Sequence, residues 1–227
     1  MKTAEQKITY LDSMGTDLSV ANAARVSFDK VSEELSKNDE KLISFLAKHN
    51  HWSPFSHTSV SFRIKAPIFV ARQLAKHQVG FAWNEVSRRY VDNEPEFFIP
   101  HKLRSRAENV KQGSGAETIK EVLHPRDEDM NVSVLEAFMW TAGDALETYN
   151  ALLKSNVCPE QARMVLPQNT MTEWIWTGSL YGWARMCQLR MDSHTQIETQ
   201  EIAKKIASYM ESLFPISWKA LVNDSTH

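Results

Sequence analysis

Between Thr58 and Lys65 the side chains alternate without a break. Val60, Phe62 and Ile64 fall on one side, with Ser59, Ser61, Arg63 and Lys65 on the other, the period-two signature of a half-buried strand. Pro67 follows almost at once. Its fixed φ suits the first turn of a helix, and Ile68, Phe69, Ala71, Arg72 and Ala75 continue from it. A strand that feeds directly into a helix commits this part of the chain to an α/β arrangement.

The flanking segments are mostly helical. Residues 7–12 predict a short early strand and residues 19–28 a helix, in which the small Ala21, Ala23 and Ala24 permit close packing. Asn38 is the expected cap of a helix over 41–48, with Leu42, Phe45 and Leu46 on one face. A long helix is expected over 133–154, its apolar and methionine stripe serving as core. Pro159 opens a short helix that carries Arg163 and ends near Pro167; residues 169–177 read as strand or turn, and 180–189 as helix. Thr195 and Glu198 suggest a capping box for a last helix that Pro215 breaks. Residues 101–131 are polar, carry Gly113 and Gly115, and predict a surface excursion with some helix. The expectation is one α/β domain over residues 1–227, helix-rich with a small sheet. No G-x-G-x-x-G occurs.

A formal charge of −2 provides no bulk field for DNA or an anionic membrane, so neither nucleic acid nor membrane is an expected partner. No segment approaches the ~18 continuous apolar residues of a membrane span. Cys158 and Cys187 make neither a disulfide framework nor a metal spacing, and the N-terminus lacks the apolar run of a signal peptide. These features predict a cytoplasmic protein.

Three clusters could carry chemistry. Residues 72–90 gather Arg72, Lys76, Arg88 and Arg89 against one acid, Glu85, with Gln73, Gln78, Asn84, His77 and Ser87 among them. Such a set suits an anionic, hydrogen-bonding ligand such as a nucleotide, because fixed cations meet phosphate and amides read a base edge. His49, His51 and His57 invite a metal reading. Their spacing matches no metal motif, though, and a loop presenting backbone and the Ser53 hydroxyl is the preferred reading, with no metal expected. Arg190, close to Asp192 and His194, is either a local ion pair or a cation held ready for an ionising substrate.

In order along the chain, several stretches together resemble the flavin-dependent thymidylate synthases, the ThyX family. They are Asn22-Ala-Ala-Arg-Val-Ser-Phe28, His51-x-Ser-Pro-Phe-x-His57, Lys65-Ala-Pro-Ile-Phe-Val-Ala-Arg-Gln73, Asn84-Glu-Val-Ser-Arg-Arg-Tyr90, Ala162-Arg-x-Val-Leu-Pro167 and Leu189-Arg-x-Asp-Ser-His194. The resemblance implies methylation of dUMP to dTMP with methylenetetrahydrofolate as carbon donor, NADPH as reductant and FAD as redox cofactor. It also implies an α/β fold that is not a Rossmann sheet, in agreement with the missing G-x-G-x-x-G, and a homotetramer with active sites built between subunits. By position, Ser53, Lys76, His77, Gln78 and Glu85 correspond to flavin contacts. Gln73, Glu85, Ser87, Arg88, Arg89, Arg163 and Arg190 correspond to the nucleotide site, with Arg190 the catalytic arginine beside the uracil.

The family's signature usually reads Arg-His-Arg, and this chain has Lys76-His77-Gln78 with one extra residue before Ser87. Lys76 keeps a charge without the planar fork, and Gln78 loses the charge. Gly80 is placed to absorb the extra residue. Near Ser179 and Arg185, where the family often has asparagines facing the flavin, the chain also differs. The variant signature motivates an alternative, a nucleotide-binding module that keeps the dUMP site without flavin chemistry.

Overall fold

The computed structural model describes residues 1–108, 113–124 and 127–223. They fall into two compact units: one comprises Met1–Lys7, Lys65–Gln73 and Glu85–Trp174, the other Ile8–Ile64, Leu74–Asn84 and Ile175–His227.

Residues 59–64 of the alternating strand belong to the second unit. Four strands bond in the order Lys7–Met14, Ser59–Pro67, Met171–Ser179, Phe81–Glu85. Val60, Phe62 and Ile64 are fully buried, as their alternation predicts. Trp183 packs edge-on against Phe62 at 5.2 Å between ring centroids, and its Nε1–H donates to the Val60 carbonyl at 3.2 Å. Burying a tryptophan this way gains its large apolar area while satisfying its one donor. Around these residues lie the helices Asp17–Arg25, Lys37–Lys48, Leu180–Arg190, Ile197–Leu213 and Pro215–Asn223. Lys37–Lys48 packs on Pro215–Asn223, and Leu180–Arg190 packs on Ile197–Leu213.

Two helix starts differ from expectation. The cap of Lys37–Lys48 is Ser36, not Asn38: Ser36 Oγ accepts from the Asp39 N–H, and Asp39 reaches back to the Ser36 N–H at 2.9 Å. This reciprocal box begins the helix a turn early, and its buried face carries Ile43 and Leu46, with Phe45 half exposed. At Ile197–Leu213 the cap position is Gln196, with no side-chain capping bond. The hydroxyl of Thr195 donates instead to the Leu189 carbonyl, and Glu198 is buried. Pro215 ends that helix and opens another.

The first unit is organised by the helix Val134–Lys154, capped by Ser133 and Glu136. Its core unites Ala142, Leu146 and Tyr149 with Phe97 and Ala162. Of the apolar stripe, Ala142, Leu146 and Tyr149 are core, whereas Leu135 and Met139 are exposed. Residues 101–131 are strand rather than helix where they are described. Leu103–Arg104 pairs antiparallel with Thr118–Ile119, and Glu121–His124 with Asp127–Ser133. Positions 109–112 and 125–126 of the predicted excursion lie outside the described residues.

Candidate active site

The helix Ile68–Leu74 ends where the His77 N–H donates to the Leu74 carbonyl at 3.0 Å. The chain then reverses through Gln78-Val79-Gly80-Phe81, closed by the Phe81 N–H on the Gln78 carbonyl at 3.2 Å. Gly80 takes φ +79° at the third turn position, which requires positive φ in a type II turn. A Cβ there would also come within 2.9 Å of Ser179 Oγ, so both backbone and space call for glycine. The turn sends Lys76, His77 and Gln78 to the wall of a cleft of about 920 Å³ in the second unit.

Strand ends and the start of a helix complete that cleft. Ser59 and Thr177 come from the sheet, Thr58 directly precedes it, and Ser179 caps Leu180–Arg190 by accepting the Gly182 N–H at 3.1 Å. Trp52, Phe81 and Tyr181 add aromatic rings, and the guanidinium of Arg185 lies 5.8 Å from the Tyr181 ring centre. Of the predicted flavin contacts, Lys76, His77 and Gln78 line the cleft. Ser53 opens the short turn Ser53–Ser56, and its neighbours Trp52 and Ser56 form the lining in its place. Met14, Ser56, Thr177 and Tyr181 carry no local motif that could have singled them out. Only pairing of distant strands brings them to one surface.

Arg190 is the last residue of Leu180–Arg190, and its Nε–H donates to His77 Nε2 at 2.9 Å. The nearby carboxylate of Asp192 is bound by His194, through its N–H at 2.8 Å and its Nδ1 at 2.9 Å. Burial lowers the Arg190 guanidinium below its ordinary value. His77 is pushed down to about 4, first by burial and second by the Arg190 charge, so its ring is neutral at neutral pH.

The remaining predicted nucleotide residues lie in the first unit. Glu85 Oε1 accepts from the Thr172 hydroxyl at 2.7 Å. Arg89 Nε donates to Ser87 Oγ at 3.3 Å, and Arg88 Nη1 to the Asn93 carbonyl at 2.9 Å. Glu160 joins two of the arginines: its carboxylate is 3.8 Å from Arg89 Nη1, and its carbonyl accepts from Arg163 Nε at 3.3 Å. Gln73 is half-buried in the same unit. The group offers exposed guanidinium forks beside a hydroxyl, a donor set suited to a phosphate.

The two thiols differ. Cys187 is fully buried, donates to the Ala203 carbonyl, and is pushed up by burial; Cys158 is exposed. Among the described residues no helix is long and apolar enough to cross a membrane.

A roomy cleft beside the half-buried Arg190, and an arginine-rich set suited to a phosphate, fit the class of nucleotide-modifying enzymes. The sequence pattern of the thymidylate synthase complementing proteins matches residues 9–216. The flavin-dependent thymidylate synthase of Kosmotoga olearia is 36% identical over 216 residues, covering 95% of this chain and 90% of that protein. That of Thermus thermophilus is 34% identical over 213 residues, covering 94% and 74%. Among solved structures, the UMP/dUMP methylase PolB from Streptomyces cacaoi bound with 5-Br dUMP superposes with a TM-score of 0.83. It is 28% identical and covers 98% of this chain and 97% of its own. This chain belongs to the flavin-dependent thymidylate synthase family, and its helix-rich α/β fold is that family's fold.

Proposed function

We propose that the cleft lined by Lys76, His77 and Gln78 holds the flavin, with Ser53 at its edge, and that Gln73, Glu85, Ser87, Arg88, Arg89 and Arg163 hold the nucleotide. Arg190 is then the catalytic arginine at the uracil. The chain is an enzyme, a methyltransferase that forms dTMP from dUMP with FAD as its cofactor. The proposal extends to methylenetetrahydrofolate as carbon donor, NADPH as reductant, a cytoplasmic homotetramer with sites between subunits, and one catalytic domain over residues 1–227.

The chemistry of the cleft fits FAD. Its volume, about 920 Å³, suits a large ligand. Lys76 and Arg185 supply cations for a pyrophosphate, and Trp52, Phe81 and Tyr181 supply rings for a flat heterocycle. The flavin, once reduced, supplies the hydride of the reaction. The residues of the chain bind and orient. Arg89 and Arg163 neutralise the nucleotide phosphate, and Ser87 offers a hydroxyl beside Arg89. Arg190 stabilises the negative charge that develops on the uracil as its N3 proton leaves. Cys187 does not act as nucleophile, because burial holds its thiol protonated.

The observation that carries this reading is the Arg190–His77 hydrogen bond, which ties the arginine assigned to the uracil to a residue of the cofactor cleft. Support also comes from the identity to named synthases over nearly the whole chain, which favours an enzyme over a nucleotide-binding module without flavin chemistry. The test is the absorbance spectrum of purified protein, followed by incubation with dUMP, methylenetetrahydrofolate and NADPH. UMP is run in parallel because PolB is a methylase of both nucleotides. A yellow protein that forms dTMP is the expected result. Protein that stays colourless after FAD is added and forms no dTMP ends this reading.

A further inference from the structure

We propose that His77 is the positioning residue of Arg190: its Nε2 accepts the Arg190 Nε–H and fixes the plane of the guanidinium. The inference rests on the reading of Arg190 as the arginine at the uracil.

The hydrogen bond at 2.9 Å defines the chemistry of both partners. An arginine nitrogen only donates, so His77 Nε2 must present its lone pair, and the one ring proton sits on Nδ1. Partial burial and the neighbouring guanidinium keep the ring in that neutral form, since His77 is held down to about 4.

Each partner is set by backbone, not by a mobile loop. The His77 N–H closes the end of Ile68–Leu74, and the turn that follows is locked by Phe81 on Gln78. Arg190 ends a helix whose last turn is closed by the Met191 N–H on the Cys187 carbonyl at 2.8 Å, with Cys187 fully buried. Two side chains anchored at such points lose little freedom when they meet.

Asp192 lies two residues away and would be the ordinary mate of an arginine, yet its carboxylate is engaged by His194. A neutral imidazole accepts the Arg190 Nε–H without itself adding a negative charge beside the guanidinium. His77 also lines the cofactor cleft, so one residue sets the arginine relative to the cofactor wall.

The test is a double-mutant cycle on the flavin-loaded enzyme with His77→Phe, Arg190→Ala and the double variant, plus His77→Gln, whose amide oxygen keeps an acceptor. Flavin content is measured by absorbance for every variant, and rates are taken at saturating FAD. His77→Phe is expected to lower kcat at least about tenfold, as misoriented catalytic groups do, with a smaller change in KM for dUMP. His77→Gln recovers most of that loss. In the Arg190→Ala background, His77→Phe adds less than about twofold, because residues acting as a unit are not additive. The same cycle read as dUMP dissociation constants on flavin-free protein must show coupling of the same sign. Multiplicative effects, or a glutamine no better than phenylalanine, overturn the inference while Arg190 keeps its role. An Arg190→Ala enzyme of undiminished rate overturns the Arg190 assignment, and this inference with it.

Discussion

Asp17 holds the last described helix in place from the other end of the chain: its Oδ1 accepts the Ser217 N–H at 2.8 Å. Its second oxygen takes the Ile216 N–H at 3.0 Å, so one carboxylate serves two of the unpaired donors that follow Pro215. Asp17 is 5% exposed and Ser217 is fully buried, so water cannot substitute for the lost acceptor. Asp17→Ala is expected to lower the unfolding free energy by about 2 kcal/mol, the sum typical of a lost charged cap and stranded donors. A urea melt reads this as a lower midpoint at unchanged slope. A shift under about 0.5 kcal/mol would mean the helix start finds other acceptors.

Acid weakens the fold in two separate steps. Asp39 is 1% exposed and held down to about 2, mainly by the Ser36 hydroxyl bond, with Arg25 assisting through Nε at 2.8 Å. Its folded value lies below the unfolded one, so its contribution of roughly 2 kcal/mol is present above pH 3.8 and lost as pH falls toward 2. His77 is also depressed, from 6.5 to about 4, but as a base it resists protonation in the folded state. Its stabilising share is therefore lost earlier, as pH falls from 6.5 to 4. Denaturant melts across pH 7 to 2.5 should show both losses. His77→Gln should flatten only the upper one, and a variant that keeps both slopes contradicts the assignment.

Gln78 lines the cleft proposed for the flavin and carries no charge. Gln78→Arg should tighten FAD binding about three- to tenfold, through one added charged hydrogen bond to an anionic cofactor. Fluorescence titration of flavin-free protein measures it. An unchanged dissociation constant would place position 78 away from the flavin phosphates.

Glu160 competes for the arginine assigned to the substrate phosphate. Its carboxylate lies 3.8 Å from Arg89, with both side chains well exposed, 61% and 45%. Glu160→Gln removes that competitor while leaving the backbone bond to Arg163 in place. It should tighten dUMP binding by up to about fivefold, with the gain shrinking at high salt. Weaker binding in calorimetry would instead make Glu160 a direct contact of the nucleotide.

Local chemistry settled much of this protein before any tertiary contact. The alternation at Val60, Phe62 and Ile64, the proline-led helix after it, and the cationic run from Arg72 to Arg89 are legible because period, φ and charge are properties of neighbouring residues. The order of short motifs pointed to the family for the same reason. What the chain alone left undecided depends on residues far apart. Ser36 displaced Asn38 as a cap because a reciprocal bond with Asp39 outweighs single-residue preference. The exposed Leu135 and Met139 could not be told from Leu146 and Tyr149 by spacing, since only packing against Phe97 and Ala162 separates them. Above all, Arg190 had a carboxylate and a histidine within four residues and bonded neither of them through Nε. Its Nε partner is His77, 113 residues away, because the end of one helix and the turn after another meet only once the sheet has formed.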